Sequence, residues 1–217
     1  MDLTPLWISL KTTVVATSLA LVLGIVAARW RLKAPAWLAR WIDVLLVLPL
    51  ALPPTVIGFI LLVTLGRHGW IGAPLAQLEI SLVFSWPATV IAATVVAFPL
   101  IYLTAGGAFR QIDREIYDSA KVLGASETSI FLHITLPLAW PGILSGALLG
   151  FTRALGEFGA TLMLAGNIPG KTQTMPLAIY FAMESGNTSD ALLFACCSAV
   201  VCLLVVAMQN RWWRQTW

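Results

Sequence analysis

Long apolar runs without Asp, Glu, Lys, Arg or His divide the chain into five segments. They contain 17, 23, 30, 19 and 20 residues, and lie between Lys11 and Arg29, Asp43 and Arg67, Glu79 and Arg110, His133 and Arg153, and Asp190 and Arg211. About 20 mainly apolar residues are enough for a helix to cross a bilayer. The pattern predicts five transmembrane helices, at about residues 9–28, 43–65, 83–105, 138–164 and 189–209.

The composition supports a membrane protein of the all-α class. Of the 217 residues, 59% are hydrophobic and 11% are charged, whereas soluble domains carry about 25% charged residues. Too little polar surface remains to cover five apolar helices in water. The first run is expected to be a retained helix rather than a cleaved signal peptide, because Asp2 precedes it and it continues to Arg29.

The basic residues predict how the chain crosses the membrane. Nine of them flank the ends of the helices that would face one side, and only three would face the other. The nine are Arg29, Arg31, Lys33, Arg40, Arg110, Arg114, Lys121, Arg211 and Arg214, and the three are Lys11, Arg67 and Lys171. Because basic residues favour the cytoplasmic side, we expect the amino terminus outside and the carboxyl terminus, with the tail 211–217, in the cytoplasm. The net charge of +3 is therefore a topology signal, and no nucleic-acid partner is expected.

The stretch AGNIPGKT at residues 165–172 resembles the end of a phosphate-binding loop. Such a loop must follow a buried strand and open a helix, whereas this stretch follows a transmembrane helix and faces outside in the predicted topology. We expect an external turn built on Gly166, Pro169 and Gly170. The three cysteines, Cys196, Cys197 and Cys202, lie in the last apolar run and lack metal-ligand spacing. No cofactor, metal or catalytic site is therefore expected.

One polar stretch, residues 113–142, is long enough for structure of its own. Ile112, Ile116, Ala120 and Leu123 recur at helical spacing. Gly124 is expected to end this helix, and Ser126 to cap a second one. The pattern predicts a helix–turn–helix at the cytoplasmic surface. It suits an interfacial pair that tethers two spans and equally a docking surface for another protein.

The same stretch resembles the EAA loop of the permeases of bacterial ABC importers. The matching residues are Ala120, Gly124, Ile134, Leu136 and Pro137, while Tyr117 stands where the family has Glu and Ser119 where it has Ala. The resemblance implies that Ser119 and these five matching residues couple the loop to the ATPase. The segments LPLALPPTVIG (48–58), FSWPATVIAA (84–93) and TRALGEFGATLMLAGNIPGKTQTMPLAIY (152–180) resemble the permease subunits of molybdate importers. Sulfate and tungstate permeases share the R-x-x-G-E-F-G-like core.

This resemblance implies the type I ABC importer fold and its partners. A single permease domain would cover residues 6–210, with the coupling loop at 110–137 docking an ATPase. Two permease copies would form the pore, an ATPase dimer would hydrolyse ATP, and an external binding protein would deliver the oxyanion. The chain itself would not be an enzyme. The implied function is import of molybdate across the bacterial cytoplasmic membrane, with tungstate or sulfate as the alternative cargo.

Two interrupted or charged helices are candidates for the translocation pathway. Pro53 and Pro54 each lack an N–H and must kink or break the second span, which favours either a pore-side position or a static packing kink. Arg153 and Glu157 are four residues apart beside Gly156, so they can pair on one helix face. They are expected to form a structural ion pair or, in the alternative, to let Arg153 contact the passing anion. Gly142, Gly146, Gly150 and Ala154 form a flat face for close helix packing.

Two other classes of membrane protein require features that are harder to find here. A proton-coupled secondary transporter needs a titratable carboxylate in its pathway, and Glu157 is the only deep candidate in a chain without a visible inverted repeat. A membrane enzyme needs a cluster of acid, base or nucleophile, whereas His68 and His133 are predicted on opposite sides. Neither class requires a cytoplasmic coupling loop.

Overall fold

The chain is described here by a computed structural model that covers residues 3–213, with side chains through residue 209. Every regular element in this range is helical. One of these elements is a π-helical turn, Phe131–Thr135, which lies between two α-helices. The helices are α1 (Thr4–Lys33), α2 (Ala36–Ala51), α3 (Pro54–Leu65), α4 (Gly72–Gln77), α5 (Trp86–Arg110), α6 (Arg114–Val122), α7 (Glu127–Ile130), α8 (Leu136–Leu155), α9 (Gly159–Ala165), α10 (Met175–Glu184) and α11 (Thr188–Trp213).

Helix α5 is the centre of the bundle. Small residues let α1 approach it closely, and a Cβ added at Gly24 would lie 3.0 Å from Cγ2 of Ile101. The glycine face of α8 packs on the other side of α5. A Cβ at Gly146 would lie 1.8 Å from Oγ1 of Thr104, and one at Gly150 would lie 2.8 Å from Cδ1 of Ile101. The neighbour of the predicted glycine face is therefore a helix of the same chain.

The second apolar segment differs from the single helix predicted over 43–65. It forms two helices, α2 and α3, whose axes are bent by 111°. The break lies at Leu52 and Pro53, both in extended conformations. Neither Pro53 nor Pro54 has an N–H with which to continue the ladder of α2. The prolines therefore produce a complete change of direction rather than a kink.

The fourth apolar segment is also interrupted, in contrast to the continuous helix predicted over 138–164. Helix α8 ends at Leu155 and α9 begins at Gly159. Helix α9 packs against α3, where a Cβ at Gly58 would lie 2.8 Å from the Cα of Ala160. This contact requires glycine at the crossing point and holds the second helices of two broken spans together.

The remaining spans are longer than predicted, and two helices, α4 and α10, lie in segments predicted to be loops. Helix α1 has 30 residues and includes Lys11, whose ammonium lies 4.0 Å from the centroid of the Trp86 ring. Helix α10 lies in the segment predicted to be an external loop. The predicted tail 211–217 is helical to Trp213, and residues 214–217 lie outside the described range. Four described helical spans are long and apolar enough to cross a membrane, and the bent pair α2–α3 makes a fifth.

Candidate functional site

The polar stretch folds as a helix, a turn and a second helix. A side-chain oxygen of Asp113 accepts a hydrogen bond from the N–H of Glu115 (3.0 Å) at the start of α6. Gly124 has φ +82° and ends the first helix, a conformation that suits glycine. Oγ of Ser126 accepts a hydrogen bond from the N–H of Ser129 (3.3 Å) at the start of α7. The turn and cap lie where the sequence predicts them.

This segment exposes apolar side chains at its tip. Val122 and Leu123, directly before the turn, are 87% and 86% exposed. Of the coupling-loop positions implied by the resemblance, Ala120 is buried and Ile134 and Leu136 are half-buried, while Ser119, Gly124 and Pro137 are exposed. The predicted apolar stripe is therefore only partly covered, and its exposed end offers a surface for another protein.

Glu127, a residue that no sequence pattern indicated, joins the segment to the rest of the chain. Its carboxylate lies 3.1 Å from Nζ of Lys33 at the end of α1 and 2.9 Å from Nζ of Lys121 in α6. The hydroxyl of Tyr117 donates a hydrogen bond to it as well. The hydrogen bond to Glu127, followed by that to Tyr117, raises the pKa of Lys121 above its usual range. The tyrosine at the family's Glu position is thus engaged within the chain.

The Arg153–Glu157 pair lies at the interruption between α8 and α9. Nη1 of Arg153 is 2.8 Å from Oε2 of Glu157. The other carboxylate oxygen accepts a hydrogen bond from the N–H of Ala160 (2.8 Å) at the start of α9. The Glu157 side chain is 1% exposed and that of Arg153 is 31% exposed. Glu157 therefore caps α9 and neutralises an arginine whose side chain stays partly exposed.

The structure brings candidates from two segments to one place. A Cβ added at Gly159 would lie 3.1 Å from Cβ of Pro54. Gly156 ends α8 through a hydrogen bond from its N–H to the carbonyl of Thr152. Pro53 precedes α3 as its cap residue. The proline break of the second span thus packs against the start of α9, next to the ion pair.

A second ion pair within the bundle was missed by the sequence analysis. Nη2 of Arg31 lies 2.8 Å from Oδ2 of Asp43, and the hydroxyl of Tyr102 donates a hydrogen bond to Oδ1. The three side chains connect α1, α2 and α5. In the sequence, a single acidic residue follows a cluster of basic residues across the short turn at Pro35. This arrangement is the signal that could have indicated the ion pair.

Thr172, in the stretch AGNIPGKT that resembles the end of a phosphate-binding loop, has a structural role. Oγ1 of Thr172 accepts a hydrogen bond from the N–H of Ile168 (2.9 Å) and donates one to the carbonyl of Gly166 (3.0 Å). The residue is fully buried, so the hydroxyl closes a turn rather than facing a ligand. Within residues 3–213, no group of three or more His, Cys, Asp or Glu side chains could hold a metal ion.

Solved structures of similar fold come from ABC transporters. A bacterial transporter that imports the polysaccharide alginate matches with a TM-score of 0.76 and 18% identity, over 99% of this chain and 80% of that one. The methionine transporter MetNI in an inward-facing conformation matches with a TM-score of 0.73 and 16% identity, over 95% and 92% of the two chains. At these identities the likeness establishes the fold, which is that of type I importer permeases.

Curated relatives match three quarters or more of the chain. The permease protein YvgM of Bacillus subtilis is 45% identical over 94% of this chain and 90% of its own length. The molybdenum transport system permease protein ModB of Escherichia coli is 37% identical over 94% and 90%, and that of Haemophilus influenzae is 43% identical over 76% and 72%. Residues 20–212 also match the family described as binding-protein-dependent transport system inner membrane component. The chain belongs to this family of inner membrane components of binding-protein-dependent transport systems.

Proposed function

We propose that this chain is the membrane-spanning permease subunit of an ATP-driven importer that carries molybdate across the bacterial cytoplasmic membrane. The observation that carries the proposal is the identity of 37% to a molybdenum permease over 94% of the chain. The fold and the five apolar spans agree with a permease. The alternative of a proton-coupled secondary transporter is not favoured, because Glu157 is occupied by Arg153 and the N–H of Ala160.

The partners follow from the same assignment. A dimer of ATPase subunits would dock on the loop 110–137 and supply the free energy, so ATP hydrolysis belongs to a separate subunit. The exposed side chains of Val122 and Leu123 give this loop an apolar surface that can fit into a groove of the ATPase. A second copy of the chain would complete the pore, and an external binding protein would deliver the oxyanion. An alginate transporter of similar fold has been solved with its periplasmic protein bound.

The orientation proposed is amino terminus outside and carboxyl terminus in the cytoplasm, with residues 6–210 as one transport domain. The excess of basic residues at one end of the bundle supports it. Near the end of α1, Arg29 contacts Phe131 and Lys33 contacts Glu127, both within the loop 110–137. The ATPase dock and the basic cluster are then on the cytoplasmic side.

The translocation pathway is proposed to pass the two interrupted spans, beside Arg153, Gly156 and Glu157 and the break at Pro53 and Pro54. A partly exposed arginine whose charge is balanced by Glu157 offers an anion a weak attraction. Weak attraction suits this role, because an importer fed by a binding protein must release its cargo quickly. Selection of the oxyanion then belongs mainly to the binding protein.

The experiment is uptake of labelled molybdate into vesicles that contain the permease, its ATPase and its binding protein. Uptake should require both ATP and the binding protein, and omission of either is the control. Tungstate and sulfate are then added as competitors. We expect tungstate to compete strongly and sulfate weakly. Equal competition by sulfate and tungstate would show that the molybdate assignment is wrong and that a sulfate permease takes its place.

A further inference from the structure

The last turns of α1 contact the coupling segment through two side chains on one helix face. Nζ of Lys33 lies 3.1 Å from Oε2 of Glu127, and the guanidinium of Arg29 lies 4.0 Å from the centroid of the Phe131 ring. The two basic residues are four positions apart, and so are their two partners. Residues at this spacing share a helix face, so two helical faces meet in matched pairs. The contact is a defined clamp, formed by Arg29, Lys33, Glu127 and Phe131.

Glu127 also holds the other arm of the segment. It binds Lys121 at 2.9 Å and accepts the hydrogen bond of the Tyr117 hydroxyl, both from α6. Phe131 meets the ring of Phe109 in α5 edge-on, with ring centroids 5.7 Å apart. One carboxylate thus connects α1, α6 and α7, and the neighbouring ring connects the segment to α5.

Helix α6 needs such a connection because little else holds it. Among its residues only Ala120 is buried, and the exposed Gly124 turn separates it from α7. A partner that displaces α6 would rotate it relative to α7 about this turn, unless other contacts hold the two helices together. The bonds from Tyr117 and Lys121 to Glu127, and from Glu127 to Lys33, provide those contacts.

We propose that Glu127 is a positioning residue for coupling, which makes α6 and α7 move together with α1. When the ATPase displaces α6 and α7, the clamp then moves α1 with them. Helix α8 also moves, because it follows α7 directly in the chain. This inference rests on the proposed function as a permease with a separate ATPase. Glu127 transmits motion and touches neither ATP nor the oxyanion.

Exposed ion pairs add little to folding stability, so loss of the clamp should appear in coupling rather than in expression. The test uses the complete complex in vesicles and measures labelled molybdate uptake and ATP hydrolysis in parallel. In the Glu127→Gln variant we expect basal ATP hydrolysis to persist and its stimulation by the binding protein to disappear. The number of ATP molecules consumed per molybdate should rise about fivefold or more, the lower range of measured coupling between sites.

Matched variants separate the clamp from a general effect of charge. Glu184→Gln removes an exposed carboxylate from α10 and should leave the ratio unchanged. Lys33→Met removes only the link from Glu127 to α1 and should raise the ratio in the same direction as Glu127→Gln. The double variant should be no worse than Glu127→Gln, because the Lys33–Glu127 contact is already lost in that single variant. Glu127→Asp keeps the charge and should recover part of the coupling.

An unchanged ratio and unchanged stimulation in Glu127→Gln would overturn the proposal, and so would additive effects of Lys33→Met and Glu127→Gln. The outcome is distinguishable from failure of the proposed cargo. If the wild-type complex accumulates no molybdate, the cargo assignment fails in the absence of any substitution. The clamp is then judged by stimulation of ATP hydrolysis by the binding protein, which the variants should lose whichever oxyanion is carried.

Discussion

The two members of the Arg153–Glu157 pair should respond very differently to neutral substitution. Arg153→Gln leaves Glu157, with a side chain only 1% exposed, as a buried carboxylate without its cation. Its remaining partner is the N–H of Ala160. Glu157→Gln leaves an arginine whose side chain is 31% exposed, and the new amide oxygen can still cap Ala160. Arg153→Gln should therefore be the more damaging change.

The magnitudes follow from burial. Removing one partner of a buried ion pair costs about 3–5 kcal/mol, and this range applies to Arg153→Gln because the carboxylate that remains cannot reach water. For Glu157→Gln, the loss should be about 1.5–3 kcal/mol, the contribution of one hydrogen bond to a charged group. The double variant Arg153→Gln with Glu157→Gln has no buried charge and should be more stable than Arg153→Gln alone. A difference of about 1.4 kcal/mol corresponds to a tenfold change in the folded-to-unfolded ratio.

The assay is the fraction of protein that stays folded and monodisperse in detergent after heating, measured beside molybdate uptake in vesicles. If the double variant regains both stability and flux, the pair is structural. If it regains stability while uptake stays low, Arg153 contacts the anion directly. Equal damage from both single substitutions, or a double variant no more stable than Arg153→Gln, would refute the argument from burial.

Three further outcomes are expected. Gly146→Val should prevent α8 from packing on α5 and abolish folded protein, because a Cβ there would lie 1.8 Å from Oγ1 of Thr104. The control is Gly107→Ala, which should be tolerated because no atom lies within 4 Å of a Cβ at Gly107. The measurement is the yield of folded protein from the two variants. The Gly124→Trp variant should insert normally but lose transport, with ATP hydrolysis either absent or uncoupled from uptake. The control is Gly124→Asn, because asparagine tolerates positive φ. Normal uptake by the Trp variant at normal expression would contradict a coupling role. A reporter protein fused after Gly170 should be active only if it is of a kind that works outside the cell. A reporter fused at residue 214 should be active only if it is of a kind that works in the cytoplasm. The reverse pattern at either site would contradict the proposed topology.

Features with a local cause could be predicted from the sequence. The turn at Gly124 and the cap at Ser126 depend on neighbouring residues, and both lie where they were expected. The pairing of Arg153 with Glu157 was expected from their spacing of four, although Glu157 lies beyond the end of α8 instead of on one helix face with Arg153. The five apolar segments follow from hydropathy, which is also local. Each of these predictions needs only one stretch of chain.

Features that depend on distant parts of the chain were missed. Glu127 is bound by Lys33, and Asp43 by Tyr102, so neither role is visible from the residues around it. The contact of Gly159 with Pro54 also joins separate segments. The helix α10 was missed for a related reason, since Ser9 of α1 accepts a hydrogen bond from the N–H of Met175 at its start. Tertiary partners decided these features.

The two interruptions reduce the number of unpaired backbone N–H groups in a broken membrane helix in two different ways. Within a bilayer, unpaired donors must be removed or satisfied by protein. In the second span, Pro53 and Pro54 have no N–H to satisfy. In the fourth span, the N–H of Ala160 is satisfied by Glu157, and the charge of Glu157 is balanced in turn by Arg153. One break removes donors and the other supplies an acceptor, and the contact of Gly159 with Pro54 places the two breaks side by side. The charged pair is thus a consequence of breaking the helix there, and its partly exposed arginine is what makes the same place a candidate for the passage of an anion.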